Sequence, residues 1–142
     1  MASSDDIVVN VELVGEEQLK IAYNSPLLAD HVLDYPSVPQ EARSGQMRRL
    51  LCGSAVGCFA GSVYFMLNGR GAEVRAMRAT GRIHKDEESS NSVGAIHIRV
   101  EVDIDEADIP TLDRVRQLLE DGCLVTRPLS SAMPVTHEIV RV

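Results

Sequence analysis

Three cysteines, Cys52, Cys58 and Cys123, are the residues of this 142-residue chain best suited to covalent chemistry. No CxxC occurs and the count is odd, so neither a disulfide framework nor a zinc knuckle is indicated, and a reducing cytoplasm with free thiols is the expected compartment. Cys52 and Cys58 are six positions apart on one helical stretch. At about 100° per residue they point about 120° apart and cannot pair with each other. Two readings of the thiols stay open on composition: buried apolar packing residues, or nucleophiles that act as thiolates.

Other chemistries find less support. His31, His84, His97 and His137 are scattered on separate predicted strands without ligand spacing, so ordinary strand histidines are expected and no metal or cofactor. Gly53, Gly57 and Gly61 lie inside a helix and not in a loop after a strand, so they are not a phosphate cradle. No GxSxG elbow is present. Asp105, Glu106 and Asp108 crowd a helix start, where their charge is favourable, and suggest no acid–base pair. A net charge of −7, with Lys20 and Lys85 the only lysines, argues against a nucleic-acid partner. Met1 to Val9 shows no basic region followed by an apolar core, so no signal peptide is expected.

The stretch that carries two of the thiols is Leu50–Gly69, which holds no charge and is flanked by Arg48, Arg49 and Arg70. A helix apolar on every side must be covered on every side. Its length meets the criterion for a membrane span, and Gly53, Gly57 and Gly61 repeat a small-xxx-small spacing. Its wealth of Gly and Ser, and the amphipathic elements around it, favour the buried helix of a soluble domain, with the glycines admitting another helix closely. No membrane partner is expected.

Those surrounding elements read clearly. Asp6–Val14 alternates as a half-buried strand, and Leu19–Tyr23 follows as its hairpin partner. Leu27–Leu33 is predicted as a third strand, and 37–45 as a loop in which Ser44 could cap the long helix. Gly69-Arg70-Gly71 stops that helix. Ala72–His84 is a long strand with arginines on both sides, which implies a bulge or bend. Lys85–Ser92 is a solvated loop. Ile96, Ile98, Val100, Val102 and Ile104 then form the apolar face of the clearest strand. Asp105–Gly122 is an amphipathic helix with Pro110 in its first turn and Leu112, Val115, Leu118 and Leu119 as its buried stripe. Leu124–Pro134 is predicted as loop and Val135–Val142 as a last strand. No internal repeat occurs, and 142 residues suit one α+β domain over 1–142.

A cysteine in a small-residue helix, then two strands, an amphipathic helix and a cysteine just past its end, resembles the OsmC/Ohr family. These are the osmotically inducible and organic-hydroperoxide-resistance proteins. RRLLCGSAVGCFAG around Cys58 and LLEDGCLVTRPLSS around Cys123, 65 positions apart, carry the resemblance. It implies an OsmC-like fold of antiparallel sheets around a long central helix, in an intertwined homodimer with its active site at the subunit interface. It also implies that Cys58 is the peroxidatic residue and Cys123 the resolving one. The substrate would be an organic hydroperoxide and the reductant a dithiol. The family's peroxidases hold the thiolate with an early Arg tied by a Glu. Here no Arg precedes Arg43, and Arg48-Arg49 stand where that Glu is expected. Arg48, Arg49 and Arg127 are therefore the candidate cations. The alternative is a non-catalytic OsmC-like dimer, stress-associated or ligand-binding, whose cysteines are core residues.

Overall fold

The computed structural model describes residues 6–89 and 91–142. The reading of residues 1–5, and Ser90 of the loop expected over 85–92, lie outside the described residues. The chain separates into two units, Met1–Gly45 and Gln46–Val142.

In the first unit, β1 (Asn10–Gly15), β2 (Gln18–Ala22) and β3 (His31–Asp34) form an antiparallel sheet in that order. Register places Val11 opposite Ile21 and Leu13 opposite Leu19, with Leu19 opposite Leu33, so the alternating residues do gather on one face. That face is not half-buried as expected. Val11 and Leu13 are exposed, and Ile21 is the unit's one buried hydrophobic residue among those described. A hairpin and one more strand of this size have no second layer of their own to cover them. The third strand is shorter than predicted, because Leu27 and Leu28 precede the paired stretch and lie exposed. Single 3₁₀ turns at Tyr35–Ser37 and Gln40–Ala42 interrupt the predicted loop.

The second unit opens with α1 (Gln46–Gly69). It ends as its glycines imply: the Ala72 amide donates to the Leu67 carbonyl and the Gly71 amide to that of Asn68, both at 3.1 Å, with Gly71 at φ +84°. β4 (Ala76–Lys85) pairs antiparallel with β5 (Val93–Asp103), and the irregularity expected in β4 falls between His84 and Lys85. The five predicted inward residues are all buried: Ile96 at 1% exposure and Ile98, Val100 and Val102 at 0% within β5, and Ile104 at 0% just past its end. Each such side chain stabilises the fold by about 1.5–3 kcal/mol.

After β5, the Asp105 carboxylate accepts from the Ala107 amide and caps a 3₁₀ turn that runs into α2 (Ile109–Leu118). Leu112, Val115 and Leu119 bury against α1 and β5; Leu118 is only half-buried. The stretch predicted as loop contains a short helix, α3 (Thr126–Leu129), before β6 (Val135–Arg141). β6 pairs with β5 in parallel, so this sheet is mixed and not wholly antiparallel. The α2–α3 segment supplies the long crossover that a parallel neighbour requires.

Within the second unit α1 is covered on one side, not on all sides. Cys52, Ala55, Phe59, Ala60, Val63 and Leu67 pack into the core, while Gly53, Gly57, Tyr64 and Phe65 are exposed. A Cβ built at Gly53, Gly57 or Gly61 would meet no atom within 4 Å. One sheet and one short helix reach only one face of a 24-residue rod. By length and composition this helix is apolar enough to cross a membrane.

Candidate functional site

Cys58 sits on α1 at the border between its buried and open stripes, and is half-buried. Cys123 lies 65 positions later, just past the turn that ends α2, and is 4% exposed. Gly122 at φ +96° makes that turn, its amide donating to the Leu119 carbonyl at 2.9 Å. The chain then turns at once into α3: the Cys123 carbonyl accepts from the Arg127 amide at 2.9 Å. This opening turn leaves the amides of Leu124, Val125 and Thr126 without intrahelical acceptors, and they face the two sulfurs. The two thiols share a hydrogen bond, and neither is in a disulfide. The pair expected from the resemblance is thus brought together.

Thr126 completes the arrangement. It is 1% exposed; its hydroxyl accepts from the Cys123 amide at 2.8 Å and donates to the Cys123 sulfur at 3.3 Å. Burial pushes the Cys58 thiol up, the bond shared with Cys123 pushes it further, and the amides of Val125 and Leu124 oppose both. Burial pushes Cys123 up as well. Hydrogen bonds from Cys58, from the Thr126 hydroxyl and from the Thr126 and Val125 amides outweigh it and leave that thiol below its ordinary value. The titration belongs to the pair, and a negative charge on it is shared between two sulfurs. The extra hydroxyl donor at Cys123 tilts the charge toward that sulfur.

The three candidate arginines do not join the sulfurs. Arg48 and Arg49 precede Cys58 by ten and nine residues on α1. That is about 14–15 Å along the axis, and helical side chains lean toward the N-terminus, so neither guanidinium reaches the Cys58 of its own chain. Arg127 is exposed and donates to the Gly122 carbonyl at 3.3 Å. Among the described residues no guanidinium is among the groups that set the acidity of the pair. Arg43 bonds within the first unit, to the Val38 carbonyl and Glu17. Cys52 faces β4, where a side chain on Gly81 would strike its sulfur, and burial pushes its thiol up.

Two hollows flank the pair. One, of about 540 Å³, runs along the open face of α1 past Cys58, between Gly57, Gly61, Phe65, Met66 and Arg70. The other, of about 420 Å³, is lined by Gly122, Thr126, Arg127, Ser130 and His137. His137 stacks on Phe59 with ring centroids 4.4 Å apart, which makes it a packing residue. Among the described residues no His, Cys, Asp or Glu cluster could hold a metal ion. Sequence reasoning missed Thr126 and the α3 turn. Their signal is a Thr three places after Cys123, the spacing at which a side chain satisfies the amide that opens a helix.

The family model for OsmC-like protein matches residues 48–138, a stretch that includes both cysteines. No curated protein matches the chain. Among solved structures, the chain is similar to an OsmC-like protein from Mycoplasma pneumoniae, with TM-score 0.71, 12% identity and coverage of 99% of each chain. It is also similar to an organic hydroperoxide resistance protein OsmC from Legionella pneumophila, with TM-score 0.62 and 8% identity over 98% of this chain and 99% of that one. The organic hydroperoxide resistance protein OhrB of Bacillus subtilis gives TM-score 0.58 and 15% identity over 96% and 99%. Identities this low carry the fold alone, but the family model spans more than half of the sequence. The chain belongs to the OsmC-like protein family.

Proposed function

We propose that this chain is a thiol-dependent peroxidase of organic hydroperoxides, acting as a cytoplasmic homodimer. The observation that carries the reading is the hydrogen bond between Cys58 and Cys123, two thiols distant in sequence, the first half-buried and the second buried. In the first step the Cys58 thiolate attacks a peroxide oxygen. The O–O bond breaks, the alcohol leaves with a proton, and Cys58 becomes a sulfenic acid. Cys123 then closes a disulfide, which a dithiol reduces. The apolar hollow beside Cys58 suits an organic peroxide, and the half-exposure of Cys58 gives it the access that Cys123 lacks.

A second copy is proposed as the cover for the open face of α1, where Phe65 is 71% exposed. Such a copy is also a place from which a cation could reach Cys58, since no guanidinium among the described residues of the second unit acts on it. The test is to treat the reduced protein with cumene hydroperoxide and count free thiols. Loss of two thiols per chain, abolished in Cys58→Ser, is the expected result; retention of all three removes the reading.

The raised Cys58 thiol, with no guanidinium acting on it among the described residues, favours one alternative: a non-catalytic OsmC-like dimer, stress-associated or ligand-binding. A Cys58 that alkylates no faster than free cysteine, and forms no disulfide under oxidation, would establish it.

A further inference from the structure

Thr126 is the one buried polar side chain of the core among the described residues, and the Cys123 amide uses only one of its hydroxyl's lone pairs. A buried hydroxyl needs a use for its proton as well as for its lone pairs. The lone pair is taken by the Cys123 amide at 2.8 Å, and the proton points to the Cys123 sulfur at 3.3 Å. A neutral thiol is a weak acceptor and a thiolate a strong one, so this contact gains most when the sulfur carries charge. The site is built to hold the contact. Gly122 is in the left-handed region, and a Cβ there would lie 2.5 Å from the Thr126 hydroxyl oxygen and 3.2 Å from the Arg127 amide nitrogen. Only glycine leaves room for Thr126 to seat against Cys123.

We propose that Thr126 is a positioning residue for Cys123, orienting its sulfur and keeping it electron-rich for closure on Cys58. This rests on the peroxidase reading above. Once Cys58 carries the sulfenic oxygen, the Cys123 thiolate attacks the Cys58 sulfur. The S–S bond forms, the S–OH bond breaks, and the departing hydroxide takes a proton to leave as water. Both sulfurs end in the disulfide, and the two electrons have gone to the peroxide. The alkoxide that Cys58 displaces from the peroxide takes the Cys123 proton as it leaves as the alcohol, and the Thr126 hydroxyl donates to the thiolate so formed. The consequence is a short-lived sulfenic acid, protected from a second peroxide.

The experiment compares Thr126→Val, which keeps the shape and removes the hydroxyl, with Thr126→Ser, which keeps the hydroxyl. In the first arm both are placed in the full chain carrying Cys52→Ser and Cys58→Ser, and Cys123 is titrated by the pH dependence of its alkylation by iodoacetamide, with no peroxide present. The expected midpoint is about one pH unit higher in Thr126→Val, and restored in Thr126→Ser. In the second arm, with all three cysteines present, cumene hydroperoxide is added and the products resolved by mass spectrometry. The ratio of Cys58 sulfinic acid to Cys58–Cys123 disulfide should rise severalfold in Thr126→Val and return toward wild type in Thr126→Ser. Circular dichroism confirms folding, and Thr126→Ala carries the same comparison should Thr126→Val not fold. An unchanged Cys123 midpoint overturns the proposal whether or not peroxide is consumed. A shifted midpoint without any peroxide consumption upholds the hold of Thr126 on Cys123 and removes the peroxidase reading instead.

Discussion

Gly122 and Gly71 form a natural pair of probes, because they share a backbone conformation and differ in what surrounds them. Gly71 has φ +84° and a Cβ there would meet nothing within 4 Å; Gly122 has φ +96° and a Cβ there would press on Thr126 and on the backbone of Arg127. Gly71→Ala therefore carries only the left-handed penalty, about 1–2 kcal/mol. Gly122→Ala carries the same penalty and also displaces a buried hydroxyl from its partners, about 1–3 kcal/mol more. The difference between the variants should thus be about 1–3 kcal/mol, with Gly122→Ala the weaker protein. Urea unfolding followed by circular dichroism measures it directly, and the melting temperatures should separate by several degrees. The pH midpoint of Cys123 alkylation in the folded state gives a second readout, raised in Gly122→Ala and unchanged in Gly71→Ala. Equal losses of stability would refute the reasoning, since the two substitutions would then share only the backbone strain. Thr126 would be seated by something other than the absence of a side chain at residue 122.

Further outcomes follow from other close contacts. Gly81→Ala drives a methyl group from β4 into Val56 and the Cys52 sulfur, and should cost about 1–3 kcal/mol; Val56→Ala in the same chain should recover part of it, measurable as a coupling in a double-mutant cycle. The Glu138 carboxyl is held below the usual carboxylate range by Arg99, which bonds it at 3.2 Å, and further by His97. A depressed carboxylate contributes stability above its unfolded-state value, about 4.3, and loses it as pH falls through the lower folded-state value. Glu138→Gln should therefore lower the melting temperature slightly at about pH 7 and less at about pH 3, and added salt should shrink the effect. Gly57→Leu, on the open face of α1, should leave secondary structure intact. It should shift sedimentation toward the monomer if a second copy closes there, and dimers of unchanged affinity would place the interface elsewhere.

How far the residues announced the fold differs by element, and the reasons are physical. The strand around Ile98 was legible because five β-branched residues alternate without interruption, a pattern only a one-sided strand satisfies. The end of α1 was legible because Gly71 supplies a left-handed residue at the required place. The parallel pairing of β6 was not legible: its own alternation says which residues face inward and nothing about the direction of its neighbour. The four residues of α3 are too few for a helical period to show, and Pro128 reads as a breaker. At the site, the meeting of Cys58 and Cys123 came from the resemblance, since spacing alone cannot bring two distant thiols together. Thr126 stayed hidden because a Thr before Arg and Pro looks like any loop residue until its burial is known. The candidate arginines were drawn from the start of α1 and the start of α3 by charge alone, and helical rise removes the first two from their own chain's Cys58.

The uncovered face of α1 and the thiol chemistry are one problem, not two. Cys58 follows Gly57, which is exposed, and precedes Phe59, which is fully buried, so its sulfur stands at the edge between the two environments. From the buried side it meets Cys123 and the amides of Leu124 and Val125. On the open side it borders a hollow whose walls include Phe65 and Met66. Whatever covers that face must also set the entrance to Cys58. The same logic applies to the exposed Val11 and Leu13 of the first unit, which hold a sheet face without a second layer. A proposed partner that answers the apolar demand of the long helix would exclude water from the sulfur and decide which peroxides pass. It could also bring the positive charge that no described residue of the second unit places beside the thiol. Oligomer formation and thiol reactivity should therefore rise and fall together across variants of the α1 surface, while substitutions in the β5 core change stability without separating the two.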